Sequence, residues 1–508
     1  MNLLTDNWIP VRLQESGSPR QISLQTLLCE RQAWELVLPR DDMELAALQL
    51  LISLVQVIFP PEDKKEWLER LKNPISEEEY TQSIQQYLKW FQLDHPEYPF
   101  MQVKGVDAKI VTPMDKLLTG LDTSTNSRFV NAAGLGDGLC PGCASIALYN
   151  QANNAPSFGG GFKYGIRGSC PVSTFVQGDE LRTSLWLNIL TDESRKLFFD
   201  DAINKGEQKP TWVVPIKEKS TIYAHQIGFT RGLLWQPGSI ELTTPDSKGQ
   251  CSCCGHDSEE LYKGFNKAKF TYTIEGFWHH PHSPHTLTVK KDERRQRFVS
   301  FTLPIPAWTQ LSRYVVKREL NETNKEGQEP ALVIQQAKKY AGGNLSRLEL
   351  LVGGYRNNQA SILERRHEML MLNQGWESHP KEIHDLVKHG MAYKTALRKS
   401  LWIVAEGIRK TDIKGTGIKV HEVGETQFFR LSENIMLEAL AGIDFSHPLP
   451  TFVELDKKLA AICRDVFELL TKPYQHDLIL LRTIAIARRS LSKNLKENRI
   501  LISEEEAA

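Results

Sequence analysis

Two cysteine pairs carry the sharpest chemistry in this sequence. Cys140-Pro141-Gly142-Cys143 and Cys251-Ser252-Cys253-Cys254 each set two thiols three positions apart, a spacing that presents both from one tight turn. Together Cys140, Cys143, Cys251 and Cys254 can enclose one tetrahedral zinc ion. A shell closed by four sulfurs leaves no position for water, so the expected role is to staple two distant loops and not to catalyse. A redox pair and unliganded thiols are the other readings, and the pairs lie further apart than in a common zinc ribbon.

A second metal reading attaches to His279, His280, His282 and His285. These sit in a proline-punctuated turn without an ordered carboxylate spacing, so a surface turn is expected. A metal-dependent nuclease or hydrolase built on that turn is the rival function. No H-E-x-x-H, G-x-x-x-x-G-K-[ST], G-x-S-x-G or H-R-D signature occurs.

Other residues suit a ligand with phosphates or base edges. In Ala155 to Lys163, Gly159, Gly160 and Gly161 let the backbone come close and offer bare N–H groups. The stretch from Gly353 to Ala360 reads as a glycine-led loop entering a helix, with Gln359 able to insert between base pairs. Arg365 and Arg366 would follow on that helix. Lys290-Lys291 and Arg294-Arg295 form a basic patch. From Lys388 to Lys419 basic residues outnumber Glu406 and Asp412, which means either a solvated helix face or one that meets DNA.

The elements that must position these residues divide into two textures. A chain of 508 residues is too long for one core, and 41% apolar residues suffice to fill two or three. Residues 1–373 mix short strands, helical patches and Gly/Pro turns, an irregular α+β lobe. Ser184 to Leu190 and Phe270 to Ile274 read as strands, Leu45 to Phe59 as a buried helix. Residues 374–508 carry helical periodicity over about Glu382–Arg409, Glu425–Leu440, Phe452–Leu470 and Asp477–Leu495, a four-helix bundle. No stretch is apolar enough for a membrane helix and the N-terminus lacks a secretory pattern, so a cytoplasmic protein is expected. The 62 basic and 62 acidic residues balance. A nucleic-acid binder of this composition would share its electrostatic work with partners.

Asn7-Trp8-Ile9-Pro10-Val11, the run Leu38 to Ala47, the glycine loop and Gly353 to His367 together resemble the CasA family, the large subunit of the type I-E CRISPR Cascade complex. The resemblance runs essentially end to end. It implies an irregular lobe with a C-terminal four-helix bundle and no catalysis. It also implies partners: CRISPR RNA, double-stranded target DNA, the small-subunit dimer, backbone and handle-binding subunits, and a helicase-nuclease. The implied task is to read the protospacer-adjacent motif (PAM) from the minor groove and help open the duplex into an R-loop. Carried over residue by residue, the glutamine wedge falls on Gln359 with Asn358 and Ala360 beside it. The lysine finger falls on Lys269 and the glycine loop on residues 157 to 161, where Ser157 replaces a glycine. Phe129 and Asn131 match the loop near the RNA handle, and the zinc ligands match Cys140, Cys143, Cys251 and Cys254. Lys290 and Lys291 match lysines that guide the displaced strand; Lys394, Arg398 and Lys399 are added to that contact from the basic run.

Overall fold

Helices and short strands alternate through the first part of the chain, and long helices close it. A computed structural model of the chain describes residues 1–14, 17–121, 134–199, 203, 205–245, 248–290, 293–320, 326–340, 346–411 and 419–499. The elements that frame the site begin with helices α1 (Asp41–Ile58) and α2 (Pro141–Asn153), strand β1 (Ser173–Val176) and helix α3 (Leu181–Leu187). Strands β2 (Ser239–Leu242), β3 (Gly264–Ala268), β4 (His285–Lys290), β5 (Glu293–Phe298) and β6 (Glu326–Glu329) follow. The long strands β7 (Leu348–Asn358) and β8 (Ser361–Leu372) precede helices α4 (Pro380–Lys410), α5 (Val420–Gly442), α6 (Leu449–Thr471) and α7 (Leu478–Asn498). The class is α+β with a helical C-terminal region.

Two units emerge. One gathers Met1–Pro304, Lys317–Tyr340 and Leu350–Met369; the other gathers Ile305–Val316, Ala341–Glu349 and Leu370–Ala508. The first holds several small sheets. One has the order β8-β7-β1, with Leu350 opposite Val176 and Gly353 opposite Ser173. Another has the order β5-β4-β6, and a third joins β3 to β2 and to Thr112–Pro113. Helix α1 threads this core. Nearly all its residues from Asp42 to Ile58 are buried, which is why its apolar run shows little amphipathic period. Its Ser53 hydroxyl bonds the Tyr149 hydroxyl of α2 at 2.8 Å.

The second unit is built on α4 to α7. Ile383, Leu386, Leu397, Leu401 and Val404 of α4 are buried, as are Met436, Leu455, Leu459, Ile484 and Leu491 on the other three helices, following the periodic positions of the sequence. Leu431, also at a periodic position, is exposed. The segment Ile305–Val316 joins this unit: the Trp308 ring lies 6.3 Å from Phe429 and the Ser312 hydroxyl 3.2 Å from His384 Nδ1. That segment lies on the lobe side of a single cut at 373/374. Among the described residues no helix is long and apolar enough to cross a membrane.

Three local expectations are corrected. Ser184 to Leu190 is not a strand: Leu181–Leu187 is helical, and Ser184 to Leu187 are buried all round, so no polar period distinguishes helix from strand. Asn188 then supplies by its side chain the pairing a neighbouring strand would give, accepting from Val176 N–H (2.9 Å) and donating to Val176 O (2.7 Å). Phe270 to Ile274 is strand only from Thr273, in Thr273–Glu275. Gly353 to Ala360 is the ascending half of a hairpin and its turn, and Arg365 and Arg366 stand on a strand, not a helix. Glycine suits this strand because backbone packs closely on it: a Cβ at Gly353 would meet Leu45 at 2.6 Å, and one at Gly354 would meet Pro171 O at 2.9 Å.

Candidate nucleic-acid interface and metal centre

The four paired cysteines converge. The Sγ atoms of Cys140, Cys143, Cys251 and Cys254 all lie within 4.8 Å of one another, and among the described residues they are the one such group of potential metal ligands. Local structure explains the convergence. Cys140 caps α2, with Pro141 in its first turn where a missing N–H costs nothing, and the Cys143 N–H points to Cys140 Sγ at 3.5 Å. The second pair is held by Ser252, whose N–H and hydroxyl both donate to Gly138 O (2.9 and 2.8 Å). Gly142 is required by contact, since a Cβ there would lie 2.6 Å from Trp8 O.

The donor set fits a cation. Hydrogen bonds from Cys140 and Cys143 hold the Cys251 and Cys254 thiols below the usual range, while Cys143, fully buried, is held well above it by its hydrogen bonds to its neighbours. Four sulfurs this close share protons unevenly, and a cation replaces those protons as it binds thiolates. The Gln21 amide donates toward Cys140 Sγ (3.7 Å) and Cys254 Sγ (3.9 Å), as second-layer groups around thiolates do. Nothing in the sequence near Gln21 signals this role.

The C-terminal end of α2 leads into the glycine loop. Gly159 (φ +116°) and Gly161 (φ +87°) adopt backbone that L side chains rarely take. Around Gly159 and Gly160 an added Cβ would meet nothing within 4 Å, whereas at Gly161 it would strike the Lys269 stem at 2.8 Å. Lys269 therefore lies against Gly161, and the Phe270 N–H donates to Gly161 O (3.3 Å). Ser157 turns inward on its own loop, its hydroxyl 3.4 Å from Gly159 N. Lys267, two positions before Lys269, sits 4.6 Å over the Phe158 ring and 5.3 Å over Phe162. Burial, and then Lys116, pull its pKa down. Its i, i+2 relation to Lys269 was the available clue.

Asn358, Gln359 and Ala360 form the exposed tip of the β7–β8 hairpin. Gln359 stands at φ +54°, a strained value for a non-glycine residue, and the Asn357 side chain donates to Gln359 O (2.6 Å) and Ser169 Oγ (3.3 Å). Below the tip the hairpin is bolted to both core helices. The Tyr355 hydroxyl donates to Asp42 (2.7 Å) and accepts from Asn150 of α2 (2.6 Å), and Arg40 forks onto Asp42 at 3.0 and 2.6 Å.

Lys290 ends β4, while Lys291, Phe129 and Asn131 lie outside the described residues. Lys394 and Arg398 of α4 both pair with Glu425 of α5, Lys394 at 3.0 Å, and Lys399 is exposed. The histidine turn is not at the surface: His280, His282 and His285 are buried. The rings of His280 and His282 pack together with centroids 5.1 Å apart, and burial pushes both pKa values well down, while His285 packs on His279 at 4.9 Å. None joins a converging metal-ligand group among the described residues.

Residues 2–466 match the family described as CRISPR-associated protein Cse1. Similar solved structures include Thermobifida fusca Cse1, at 17% identity and TM-score 0.75, and Thermus thermophilus CasA, at 16% and 0.72. In both, the match covers 98% of this chain and 99% of the other. A chain of a CRISPR RNA-guided surveillance complex matches at 13% identity and TM-score 0.67, covering 97% of this chain and 99% of that one. With the family match spanning most of its length, the chain belongs to the CRISPR-associated Cse1 family.

Proposed function

We propose that this chain is the large subunit of an RNA-guided CRISPR surveillance complex, and that it reads the PAM in duplex DNA without catalysing a reaction. The observation that carries the reading is the seat of Lys269 on Gly161 beside two uncrowded glycines. A lysine can donate to adenine N3 or thymine O2 in a minor groove, and bare backbone comes close where a Cβ would collide. Minor-groove edges separate mainly A·T from G·C, so such a reader tolerates several related PAMs. The exposed Gln359, flanked by Asn358 and Ala360 on a braced hairpin, acts as the wedge. Unstacking one base step costs a few kcal/mol, which an inserted side chain offsets while the guide pairs with its target.

The partners follow from this role: CRISPR RNA, target DNA, the other Cascade subunits and a recruited helicase-nuclease, in the cytoplasm. Lys290 and Lys291, with Lys394, Arg398 and Lys399, guide the displaced strand. The four-cysteine cluster holds zinc. A tetrahedral shell with Zn–S bonds of ~2.3 Å places sulfurs ~3.8 Å apart, and Cys140 and Cys254 stand at 3.8 Å. When bound, the ion fixes the start of α2 and takes no part in chemistry.

Gly160→Asp tests reading separately from opening. Open space at Gly160 lets the aspartate fold without a clash, so lost binding reports on DNA. In the reconstituted complex this variant should abolish R-loop formation on paired and pre-opened targets alike. Gln359→Ala should slow opening on paired DNA only and recover when the step beside the PAM is mismatched. Equal rescue of both variants refutes the division of labour.

A further inference from the structure

The chain that leaves the glycine loop walls a cavity of about 510 Å³, whose lining includes Lys163, Tyr164, Arg167, Tyr272, Phe277 and Arg297 and no carboxylate residue. Arg167 is only 3% exposed. It bonds solely to neutral groups: the hydroxyls of Ser173 and Ser283 (2.8 and 2.6 Å), the amide oxygens of Gln49 and Asn154 (3.3 and 2.6 Å) and Asn153 O (2.9 Å). Its Nε has no partner. A guanidinium buried without a counter-charge is costly, and this one, held by groups behind the cavity wall, adds a positive charge that no carboxylate of the lining opposes. Lys163 and Arg297 add two positive charges, and the structure gives neither an ion pair among the described residues. Tyr164, 51% exposed, offers a flat aromatic surface beside them.

Cations, aromatic faces and no opposing acid are the means by which proteins hold single-stranded nucleic acid: bases stack on rings while charges track the backbone. A paired base keeps both faces stacked in the duplex, so the complementary ligand is unpaired. We propose that this cavity holds one unpaired nucleotide of a DNA strand, its base against Tyr164 and its phosphate toward Lys163, Arg297 and the charge of Arg167. The inference rests on the reading of the glycine loop as a DNA-contacting surface, because opening a duplex beside that loop supplies such a nucleotide. The volume lies within the range of small-ligand sites.

The test places 2-aminopurine at successive positions of an unpaired arm attached to a PAM-bearing duplex and adds the reconstituted complex. One position should be quenched. Tyr164→Ala should remove that quench and weaken binding of the arm by about 5- to 150-fold, the range for one lost base–aromatic stack. Binding of the fully paired PAM duplex should be unchanged, and Tyr164→Trp should retain the quench. Lys163→Ala with Arg297→Ala should flatten the salt slope of arm binding by about 0.7, one single-strand phosphate contact. Three results would overturn the proposal: no position-specific quench, equal weakening of paired and arm-bearing DNA by Tyr164→Ala, or competition by a free deoxynucleoside monophosphate at the arm's own affinity. If the wild-type complex fails to bind the paired PAM duplex, the parent reading falls. Quenching of a plain single-stranded oligonucleotide then still decides the cavity on its own.

Discussion

Single side chains do different kinds of work in this protein, and the cysteines make the contrast plain. Cys143 is fully buried and Cys251 is held low by hydrogen bonds from Cys140 and Cys143, so removing one thiol leaves three that cannot close a tetrahedral shell. Purified protein should carry about one zinc per chain. Cys140→Ala should reduce that content to near zero and lower the melting temperature, and a chelator should then cause no further shift. Zinc absent from the wild type, with melting unchanged in Cys140→Ala, refutes the site. This chemistry was legible in the sequence because thiol spacing survives any uncertainty in the fold. Arg167 was not legible: one arginine between glycines looks like any surface residue until Ser173, Ser283 and Asn154 are seen to close around it.

At the scale of elements, the C-terminal helices could be read from their period because one face of each meets water. Helix α3 could not, because water touches no face of its Ser184–Leu187 stretch. Gly353-Gly354 likewise looked like a loop because the reason for glycine, the close approach of Leu45 and Pro171, lies far off in the sequence. The basic face of α4 is also changed by its neighbour. Lys394 and Arg398 share Glu425 of α5, whereas Lys399 is exposed. If this face follows the displaced strand, Lys399→Ala should reduce the salt slope of binding by about 0.7, one single-strand phosphate contact. Glu425→Gln, which frees two cations, should steepen it. A slope indifferent to both changes makes α4 an ordinary solvated face.

For the molecule as a whole, the buried histidines predict how stability responds to acid. Burial, and then the Arg167 charge, hold His280 and His282 neutral in the folded state, and burial holds His285 down at about 4. An unfolded histidine takes up its proton near pH ~6.5. Above that value neither state binds the proton and nothing is lost; below it the unfolded chain binds protons the fold refuses. Stability should therefore fall below about pH 6.5, by up to ~2.7 kcal/mol per pH unit for His280 and His282 together. Urea titrations at pH 7.5, 6.5 and 5.5 with zinc in excess check this, and a midpoint unchanged from 7.5 to 5.5 refutes it. The pairing of Leu350 with Val176 has a consequence for how the protein is made. Strand β7, which leads to Gln359, leaves the ribosome long after β1, and the Cys140 cluster waits for Cys251, 111 residues later. Synthesis at ~5–20 residues per second leaves these partners exposed for many seconds. The first unit is thus completed from its far end, and a chain cut short before β7 would hold a glycine loop and a lysine but have no hairpin to set beside them.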